Sequence, residues 1–349
     1  MLLIIQRLER FQRINVKNYM ADIVVCGDLE GELEKSGVLS KLEALGSIET
    51  CNELDPPRDV LVRRLRGARA VLDFRGRVAL DAETLNQLPA LEMIASTGPH
   101  RIDVAAATKL GIVVANTPAV STVAVADYVC ALALALARHI VSADQALRRR
   151  SLEAATGFDL AGKKFGILGL GRIGSAVAKR MAAFDVNLIA WGPTLTPERA
   201  AAAQARYVSE QELFQSSDIL SVHLRYSALS DNFVNRARLA LMKPSALLVD
   251  ISREGVVNRQ DLAEALKAGR LAGAAMDLCH PLPVAMTDPM LAAPRTLVTP
   301  HMAWQTQETF RRAAAMSVEN ILNYFCGEPS HIGNPDALKV ARRRARSNR

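Results

Sequence analysis

Gly169, Gly171 and Gly174 form a GxGxxG pattern that could bind the phosphates of a dinucleotide. The pattern follows the apolar segment KKFGIL and precedes the helical segment SAVAKRMAAF, so it lies at a strand–turn–helix junction. There the first glycine allows a tight turn, the second lets the backbone approach a pyrophosphate, and the third lets helix and strand pack closely. The phosphates then lie at the helix N-terminus. The pattern predicts a cofactor site that also includes Arg172 and Ile173.

The next strand, VNLIAWG, lacks the acid that usually marks an NAD site. That acid stands about 20 residues after the glycines and binds the ribose hydroxyls. Here the strand ends at Trp191, and Gly192 occupies the acid's place. A 2′-phosphate would meet no repulsion, and Thr194, Thr196 or Arg199 could reach it. We therefore expect NAD or NADP as cofactor; the choice stays open, because Arg199 is equally typical of a helix surface.

Short apolar segments alternate with helical patterns along the whole chain. They are DIVVCG, ARAVLDF, LEMIAS, GIVVAN, KFGILGL, VNLIAW, DILSVHL, ALLVDIS, AGAAMDL and RTLVTP. Continuous apolar strands separated by helices predict doubly wound parallel sheets, an α/β fold. Ten strands exceed one sheet, and one long helix from about Ser121 to Arg148 is predicted between two groups of them. A final helix, from about Gln305 to Phe325, is expected to pack back on the first domain.

The formal charge of +7 is concentrated at the chain ends. Residues 1–19 carry +3 and residues 339–349 carry +6, which leaves −2 for residues 20–338. Terminal runs of like charge are usually solvated, so nucleic acid is not expected as a partner. The alternative is that the RRRAR tail binds RNA or an acidic membrane, which would make binding salt-sensitive.

The five cysteines are scattered with no CxxC spacing, so neither a metal site nor a disulfide framework is predicted. A reducing compartment fits this pattern, and we expect the cytoplasm. The longest apolar segment, VAVADYVCALALALARHI, carries Asp127 and stops at Arg138, so no membrane span is expected.

Several ordered segments resemble the D-isomer-specific 2-hydroxyacid dehydrogenases. They are GIVVANTPAVSTVAVADYVCALALALAR, LAGKKFGILGLGRIG, SDILSVHLRYSALSDN, MKPSALLVDISREGVVNRQDLAEALKAG, GAAMDL and LVTPHMAW. The resemblance extends from Met20 to about Leu338. It implies NAD(P)-dependent interconversion of a D-2-hydroxy acid and its 2-oxo acid.

The resemblance also implies how the chain is divided. A flavodoxin-like, substrate-binding catalytic domain would comprise residues 20–120 and 306–338. A Rossmann dinucleotide-binding domain, residues 121–305, would be inserted between them. Residues 1–19 and 339–349 would be flexible ends, and the protein would be a homodimer.

By the same resemblance, Arg253 in DISREG would bind the carboxylate and carbonyl of the substrate. A guanidinium offers a rigid fork of donors that matches a planar 2-oxo acid. His301 in TPHMAW would be the catalytic acid and base, because the pKa of histidine lies near working pH. The backbone amides of Thr97 and Gly98 would bind the substrate carboxylate. Asp277 would orient the carboxamide of the nicotinamide.

Further cofactor contacts are implied by the same segments. They are Trp191, Gly192, His223, Leu224, Ile251 and His301. His223 is open to a second interpretation, because it is equally typical of a histidine packed in a core.

The family's glutamate that pairs with the histidine is absent. Counting from Arg253 and from Asp277 leads to Leu282, and the nearby His280 would point differently. An opposite charge favours the charged imidazole, whereas apolar burial disfavours it. We therefore expect slow reduction of 2-oxo acids that improves toward acid pH. The alternative function is a dinucleotide-binding regulator or corepressor-like protein with decayed chemistry.

Other departures from the family pattern are milder. Asp250 stands where asparagine is commoner in the family, and Glu254 stands where glycine is usual. We expect Glu254 to form a salt bridge nearby.

Overall fold

The computed structural model describes residues 23–28, 31–53, 55–152, 155–278 and 285–341. The chain divides into two compact units. The first unit contains the chain up to Val120 and from Gln307 onward, and the second unit is Ser121–Thr306. The predictions for residues 1–19, for most of the basic tail, and for His280 and Leu282 lie outside the described residues.

The first unit is built on a five-stranded parallel sheet of order β2-β1-β3-β4-β5. This is the flavodoxin-like order. Its strands are β1 (Ile23–Cys26), β2 (Ile48–Cys51), β3 (Ala70–Asp73), β4 (Met93–Ser96) and β5 (Val113–Ala115). Every residue of β1, β3 and β4 is buried, as expected for strands that are covered on both faces.

Helices cover both faces of this sheet. In chain order they are α1 (Glu32–Lys35), α2 (Arg58–Leu65), α3 (Ala82–Asn86), α4 (Val104–Lys109) and, after the second unit, α12 (Gln307–Phe325). Helix α12 buries Ala313, Val318 and Ile321 in one apolar cluster with Leu72 of β3. The chain therefore returns to complete the core of the first unit.

The second unit contains a seven-stranded parallel sheet of order β12-β11-β10-β9-β6-β7-β8. Its strands are β6 (Lys164–Leu168), β7 (Asn187–Trp191), β8 (Arg206–Tyr207), β9 (Ile219–Val222), β10 (Leu247–Asp250), β11 (Gly273–Asp277) and β12 (Thr296–Thr299). Read from β8, the strands follow the Rossmann order with one strand added at the far edge. The order reverses direction between β6 and β9, which is where dinucleotides bind in such sheets.

The helices of the second unit lie on the two faces of its sheet. They are α5 (Thr122–Ala137), α6 (Ile140–Arg148), α7 (Arg172–Met181), α8 (Pro197–Ala202), α9 (Glu210–Ser216), α10 (Arg236–Leu239) and α11 (Arg259–Lys267). Phe165 and Phe214 are fully buried, one in each of the two clusters that sandwich the sheet. Burial of each such side chain contributes about 1.5–3 kcal/mol.

The fold-class prediction is confirmed: the chain forms two parallel α/β sheets. All ten predicted strands are present. Strands β2 and β8, at sheet edges, were not predicted.

The prediction of one continuous helix from Ser121 to Arg148 is wrong. The helix ends at Ala137, His139 adopts a left-handed conformation with φ of 53°, and α6 begins at Ile140. The carbonyl of Ala137 accepts a hydrogen bond from the amide of Phe158 at 3.1 Å. The helix breaks because the chain around Phe158 uses an acceptor that a continuous helix would need.

Candidate active site

The parallel strands of the second unit bring predicted site residues to one edge of the sheet. Gly169 follows β6, His223 follows β9, Arg253 follows β10, Asp277 ends β11, and His301 follows β12. The carboxyl ends of parallel strands meet at one edge, and ligands of open α/β sheets bind there. Residues far apart in sequence therefore share one region of the second unit.

The glycine turn has the conformation that its sequence predicts. Gly169 has φ of 97°, a left-handed value that favours glycine, and its amide donates to the carbonyl of Trp191 at 2.8 Å. A Cβ atom added to Gly174 would overlap the carbonyl oxygen of Gly169, so only glycine lets the helix pack this closely. A Cβ atom at Gly171 would meet nothing within 4 Å. The backbone at Gly171 is thus open to a ligand at the N-terminus of α7.

The other two residues of this turn differ in exposure. Arg172 begins α7 and is exposed, whereas Ile173 is half-buried against the core. The side chain of Arg172 is therefore open to solvent at the helix N-terminus. The turn fits a bound pyrophosphate in its backbone shape and in its charge.

The end of β7 has room for the acid that the chain lacks there. Trp191 stacks on Phe233, with ring centroids 5.6 Å apart and planes inclined by 22°. A Cβ atom at Gly192 would have its nearest neighbour, the Cα of Gly169, at 3.5 Å, an ordinary contact. Space would allow a side chain at Gly192, so the chain lacks the carboxylate but not the room for it.

Arg199 lies across this part of the site. Its guanidinium donates to the carbonyl of Thr194 at 2.8 Å and to the carbonyl of Leu170, within the glycine turn, at 3.5 Å. The hydroxyl of Thr196 accepts from the Arg199 amide at 3.3 Å and caps α8. A positive charge therefore lies between the glycine turn and the loop after β7.

His223 and Leu224 follow β9 beside the glycine turn. His223 Nε2 and the hydroxyl of Ser221 are 2.8 Å apart, and Nδ1 has no hydrogen-bond partner among the described residues. Burial lowers the pKa of His223 to about 3, so its ring is neutral at physiological pH. Leu224 and Ile251 are buried, and their side chains pack into the two cores of the unit.

Arg253 is exposed and makes no ion pair within the part of the chain that the structure describes. Its guanidinium donates only to the carbonyl of Ser252, at 2.9 Å. A small pocket beside it is lined by Asp250, Ser252 and Asp277, among others. The structure therefore brings Arg253 and Asp277 to one pocket and leaves the guanidinium available to an anion.

Asp250 is buried at the end of β10 and lines the same pocket. Burial raises the pKa of its carboxyl to about 6, although hydrogen bonds from the amide and hydroxyl of Ser252 and the nearby Arg259 and Arg253 oppose the shift. Near pH 6 this carboxyl is partly protonated, and a protonated acid resembles the asparagine that is commoner here. The sequence showed only that aspartate replaces asparagine at this position. The structure adds that burial makes the charge of this side chain change near pH 6.

The prediction of a salt bridge for Glu254 is confirmed. Its carboxylate lies 3.9 Å from the guanidinium of Arg259, which also pairs with the buried Asp288 at 2.6 Å. No sequence pattern predicts the Arg259–Asp288 pair, because Asp288 lies in an irregular segment with no motif. The charge of Glu254 is thus partly balanced beside Arg253.

Asp277 has more partners than its predicted role requires. Its carboxylate accepts from the hydroxyl of Thr299 at 2.7 Å and from the amides of Met302 and Ala303 at 2.9 and 2.8 Å. His301 lies between these partners, is half-buried, and has φ of 51°. Sequence reasoning missed that Asp277 holds the turn that carries His301.

Thr97 and Gly98 lie in the first unit, after β4. The hydroxyl of Thr97 accepts from the Arg75 amide at 2.7 Å, and the Thr97 amide donates to the carbonyl of Asp73 at 3.3 Å. The Gly98 amide donates to the hydroxyl of Ser96 at 3.1 Å. Both amides that were predicted to bind substrate carboxylate therefore already have acceptors within the unit.

Comparison with known proteins identifies the family. The family described as D-isomer specific 2-hydroxyacid dehydrogenase, NAD binding domain, matches residues 130–303. The chain is 33% identical over 312 residues to a glyoxylate reductase of Korarchaeum cryptofilum, which covers 86% of this chain and 94% of that protein. The chain belongs to the D-isomer-specific 2-hydroxyacid dehydrogenase family.

Two other members of the family show the same likeness. A D-3-phosphoglycerate dehydrogenase of Archaeoglobus fulgidus is 34% identical over 276 residues, which cover 78% of this chain and 52% of that protein. The apo-structure of D-lactate dehydrogenase from Escherichia coli matches with a TM-score of 0.79 and 25% identity, over 89% of this chain and 99% of that one.

The family settles the class of reaction. The chain is an NAD(P)-dependent oxidoreductase that interconverts a D-2-hydroxy acid and its 2-oxo acid. The sequence-based predictions of family, enzyme class and nicotinamide cofactor are confirmed. None of these three relatives supports the regulatory alternative.

Neither a single membrane-spanning helix nor a metal-binding cluster is present among the described residues. No single helix there is long and apolar enough to cross a membrane, but α5 and α6, which meet at 59°, pass the same test of length and composition when taken together. No group of three or more histidine, cysteine or acidic side chains could hold a metal ion there.

Proposed function

We propose that the second unit binds the dinucleotide and the first unit carries the substrate loop. This assigns the Rossmann role to about residues 121–305 and the catalytic-domain role to residues 20–120 and 306–338. The open backbone at Gly171 and the close packing at Gly174 support the cofactor assignment. The remaining proposed contacts lie at the same sheet edge: Gly169, Arg172, Ile173, Trp191, Gly192, His223, Leu224, Ile251, Asp277 and His301.

In this proposal Arg253 binds the substrate and His301 transfers the proton. The bound nicotinamide supplies the hydride for reduction or accepts it in oxidation. Arg253 binds the carboxylate of the 2-oxo acid and polarises its carbonyl with two donors of one guanidinium. His301 donates the proton that the carbonyl oxygen needs as the hydroxyl forms, and takes it back in the reverse reaction. The observation that carries this assignment is the set of hydrogen bonds by which Asp277 fixes the His301 turn.

A small 2-oxo acid is the proposed substrate, with glyoxylate as the first compound to test. The support is the likeness to a glyoxylate reductase over nearly its whole length. Loops of the first unit would set the size of the side chain that is accepted, with Thr97 and Gly98 near the carboxylate.

The cofactor site is proposed to accept NADPH at least as well as NADH. Gly192 places no carboxylate where a 2′-phosphate would lie, and the guanidinium of Arg199 contacts the glycine turn. A phosphate would gain a charge-assisted hydrogen bond from Arg199 without repulsion.

The experiment that tests this function is a spectrophotometric screen of 2-oxo acids with NADH and with NADPH between pH 5 and pH 8. Oxidation of either cofactor by glyoxylate or a related acid, lost in Arg253→Ala, is the expected result. Dinucleotide binding without turnover of any 2-oxo acid would refute the proposed activity.

We also propose that the enzyme is a cytoplasmic homodimer. Helix α6 has no buried residue, and its Ile140 and Leu147 are 55% and 64% exposed. Apolar side chains of this kind on a helix are typical of a protein interface. Light scattering of the wild type and of Leu147→Asp tests the interface: the variant should be smaller than the wild type.

A further inference from the structure

Two cysteines face each other at the carboxyl end of the first sheet. Cys26 ends β1, Cys51 ends β2, and the two residues are direct partners in the parallel register. Neighbouring strands lie about 4.8 Å apart, which falls within the Cα separation of roughly 4.4–6.8 Å that a disulfide spans. Both side chains belong to the same apolar cluster, so they lie on the same face of the sheet. The backbone already has the spacing that a disulfide between them requires.

The two thiols are free but not equivalent. A hydrogen bond from the Cys26 thiol lowers the pKa of Cys51 to about 6. The Glu53 amide and the Arg64 guanidinium act in the same direction, whereas burial and the carboxylate of Glu53, which pairs with Arg64, oppose the shift. The same hydrogen bond, burial and the negative charge of Asp73 raise the pKa of Cys26 well above its ordinary value. One sulfur is thus stabilised as a thiolate, while its neighbour keeps the proton.

We propose that Cys26 and Cys51 form a redox-active dithiol that hydroperoxides convert reversibly into a disulfide. Cys51 is the attacking sulfur and Cys26 the resolving sulfur. The proposal stands on the in-register pairing of the two residues and on the burial of both side chains in one apolar cluster on the same face of the sheet. The guanidinium of Arg64 lies near Cys51 and also pairs with Glu53 and Glu49.

The reaction balances in two steps. The Cys51 thiolate attacks one peroxide oxygen, an S–O bond forms, the O–O bond breaks, and the leaving hydroxide takes a proton to become water. Cys26 then loses its proton and attacks the Cys51 sulfur; the S–S bond forms, the S–O bond breaks, and a second water leaves. Two thiols and one hydrogen peroxide give one disulfide and two waters, and two electrons pass from sulfur to the peroxide.

Access to the pair is through the edge of the sheet. Both cysteines are at most 1% exposed, but β2 is an edge strand whose Glu49 and Thr50 are exposed and which, among the described strands, pairs with β1 alone. The ends of such strands open locally far more often than the whole domain unfolds. We therefore expect oxidation to be slower than that of an exposed thiol, and to be selective for this pair.

Cys130 provides a matched comparison within the same chain. It is buried like the pair, but burial raises the pKa of its thiol to about 11 and no other described cysteine faces it. A thiolate is the reactive form of cysteine. Oxidation that depended on exposure alone would therefore not distinguish Cys51 from Cys130.

The test uses the reduced full-length protein, hydrogen peroxide at pH 7, alkylation of the remaining thiols under denaturing conditions, and peptide mass spectrometry. The expected product is a Cys26–Cys51 linked peptide, about 2 Da lighter than the two thiol peptides, that a dithiol reductant reverses. Cys130 should stay alkylatable. In wild-type protein at pH 7, Cys51 should react with a small alkylating reagent at least about tenfold faster than Cys130.

Variants separate the roles of the two sulfurs. Cys26→Ser should leave a sulfenic acid on Cys51 that a cyclic dione traps, whereas Cys51→Ser should leave Cys26 reduced. Cys130→Ser should form the linked peptide as the wild type does. Absence of the linked peptide in wild-type protein, or equal alkylation rates for Cys51 and Cys130, would overturn the proposal even if a variant fails to fold.

Discussion

The carboxylate of Asp277 accepts a 2.8 Å hydrogen bond from the backbone amide of Ala303. The Met302 amide and the Thr299 hydroxyl complete the set at 2.9 and 2.7 Å. These three partners lie on both sides of His301, whose left-handed backbone conformation a free loop would seldom keep. The strand end of β11 thus fixes the turn that presents His301 after β12.

Replacing Asp277 with asparagine should lower kcat/KM for 2-oxo acid reduction by about 10- to 100-fold. Asparagine has one acceptor oxygen instead of two, so one amide beside His301 loses its partner and the imidazole shifts. Steady-state kinetics checks this, with Asp144→Asn on the exposed face of α6 as the control. Unchanged kcat/KM in Asp277→Asn would show that the turn keeps its position without the carboxylate.

Replacing Arg253 with lysine should raise KM for the 2-oxo acid by about tenfold or more and lower kcat as well. Lysine keeps the positive charge but loses the two-donor fork that matches a carboxylate and its neighbouring carbonyl. Fluorescence titration should show that NADH binds as in the wild type. Arg270→Lys, on a distant loop, is the matched control, and equal KM values for Arg253→Lys and wild type would remove Arg253 from the substrate site.

Replacing Arg199 with alanine should weaken NADPH binding by about tenfold and leave NADH binding nearly unchanged. The variant loses one charge-assisted hydrogen bond to a 2′-phosphate, which is worth roughly 1.5–3 kcal/mol. Gly192→Asp should shift preference toward NADH, since the pocket has room for a side chain there. Dissociation constants of both cofactors for both variants, with Arg206→Ala as control, check this; equal losses for NADH and NADPH would contradict it.

Replacing Asp250 with asparagine should stabilise the protein at pH 7 by about 1–3 kcal/mol. Burial raises the folded-state pKa of Asp250 from 3.8 to about 6. Relative to its stability at neutral pH, the folded wild type is therefore most stable below pH 3.8, where the carboxyl is protonated in both states, and it loses this stability as the pH rises toward 6. Asparagine does not titrate and keeps the acceptor for Ser252. Urea unfolding at pH 4.5 and pH 7 should show the larger gain at pH 7, and an equal gain at both would contradict it. Asp185→Asn is the control.

The sheets could be predicted where strands are buried on both faces, because such strands are continuous apolar segments. Strand β2 has the burial pattern of an edge, with Glu49 and Thr50 exposed, and β8 has only the exposed Arg206 and Tyr207. Neither strand carries an apolar run, so sequence reasoning passed over both. Their existence depends on pairing with one neighbour and not on their own composition.

Only those parts of the site that belong to a sequence motif could be predicted. The glycine turn carries its conformation in its residue types, and Gly169, Gly171 and Gly174 behave as expected. The hydrogen bonds from the His301 turn to Asp277 depend on the direction of backbone amides. Every residue except proline has such an amide, so the residue types do not show which amides face the carboxylate. The break of the helix at His139 has the same origin, since the amide of Phe158, 21 residues after Ala137, donates to the carbonyl of Ala137.

Replacing Leu282 with glutamate should speed the reduction of 2-oxo acids at pH 7 and extend the active pH range to higher values. By the family resemblance, a carboxylate at this position pairs with the catalytic histidine. An opposite charge within about 4–6 Å raises the pKa of a histidine by roughly 1–3 units, so more of the enzyme would hold the proton that the carbonyl oxygen needs. Leucine provides no such charge. The kcat/KM of the wild type should therefore fall as the pH rises toward neutrality, and that of Leu282→Glu should fall only at a higher pH. Leu282→Gln matches the shape without the charge and should resemble the wild type. If Leu282→Glu is no faster than Leu282→Gln at pH 7, another group already keeps His301 charged.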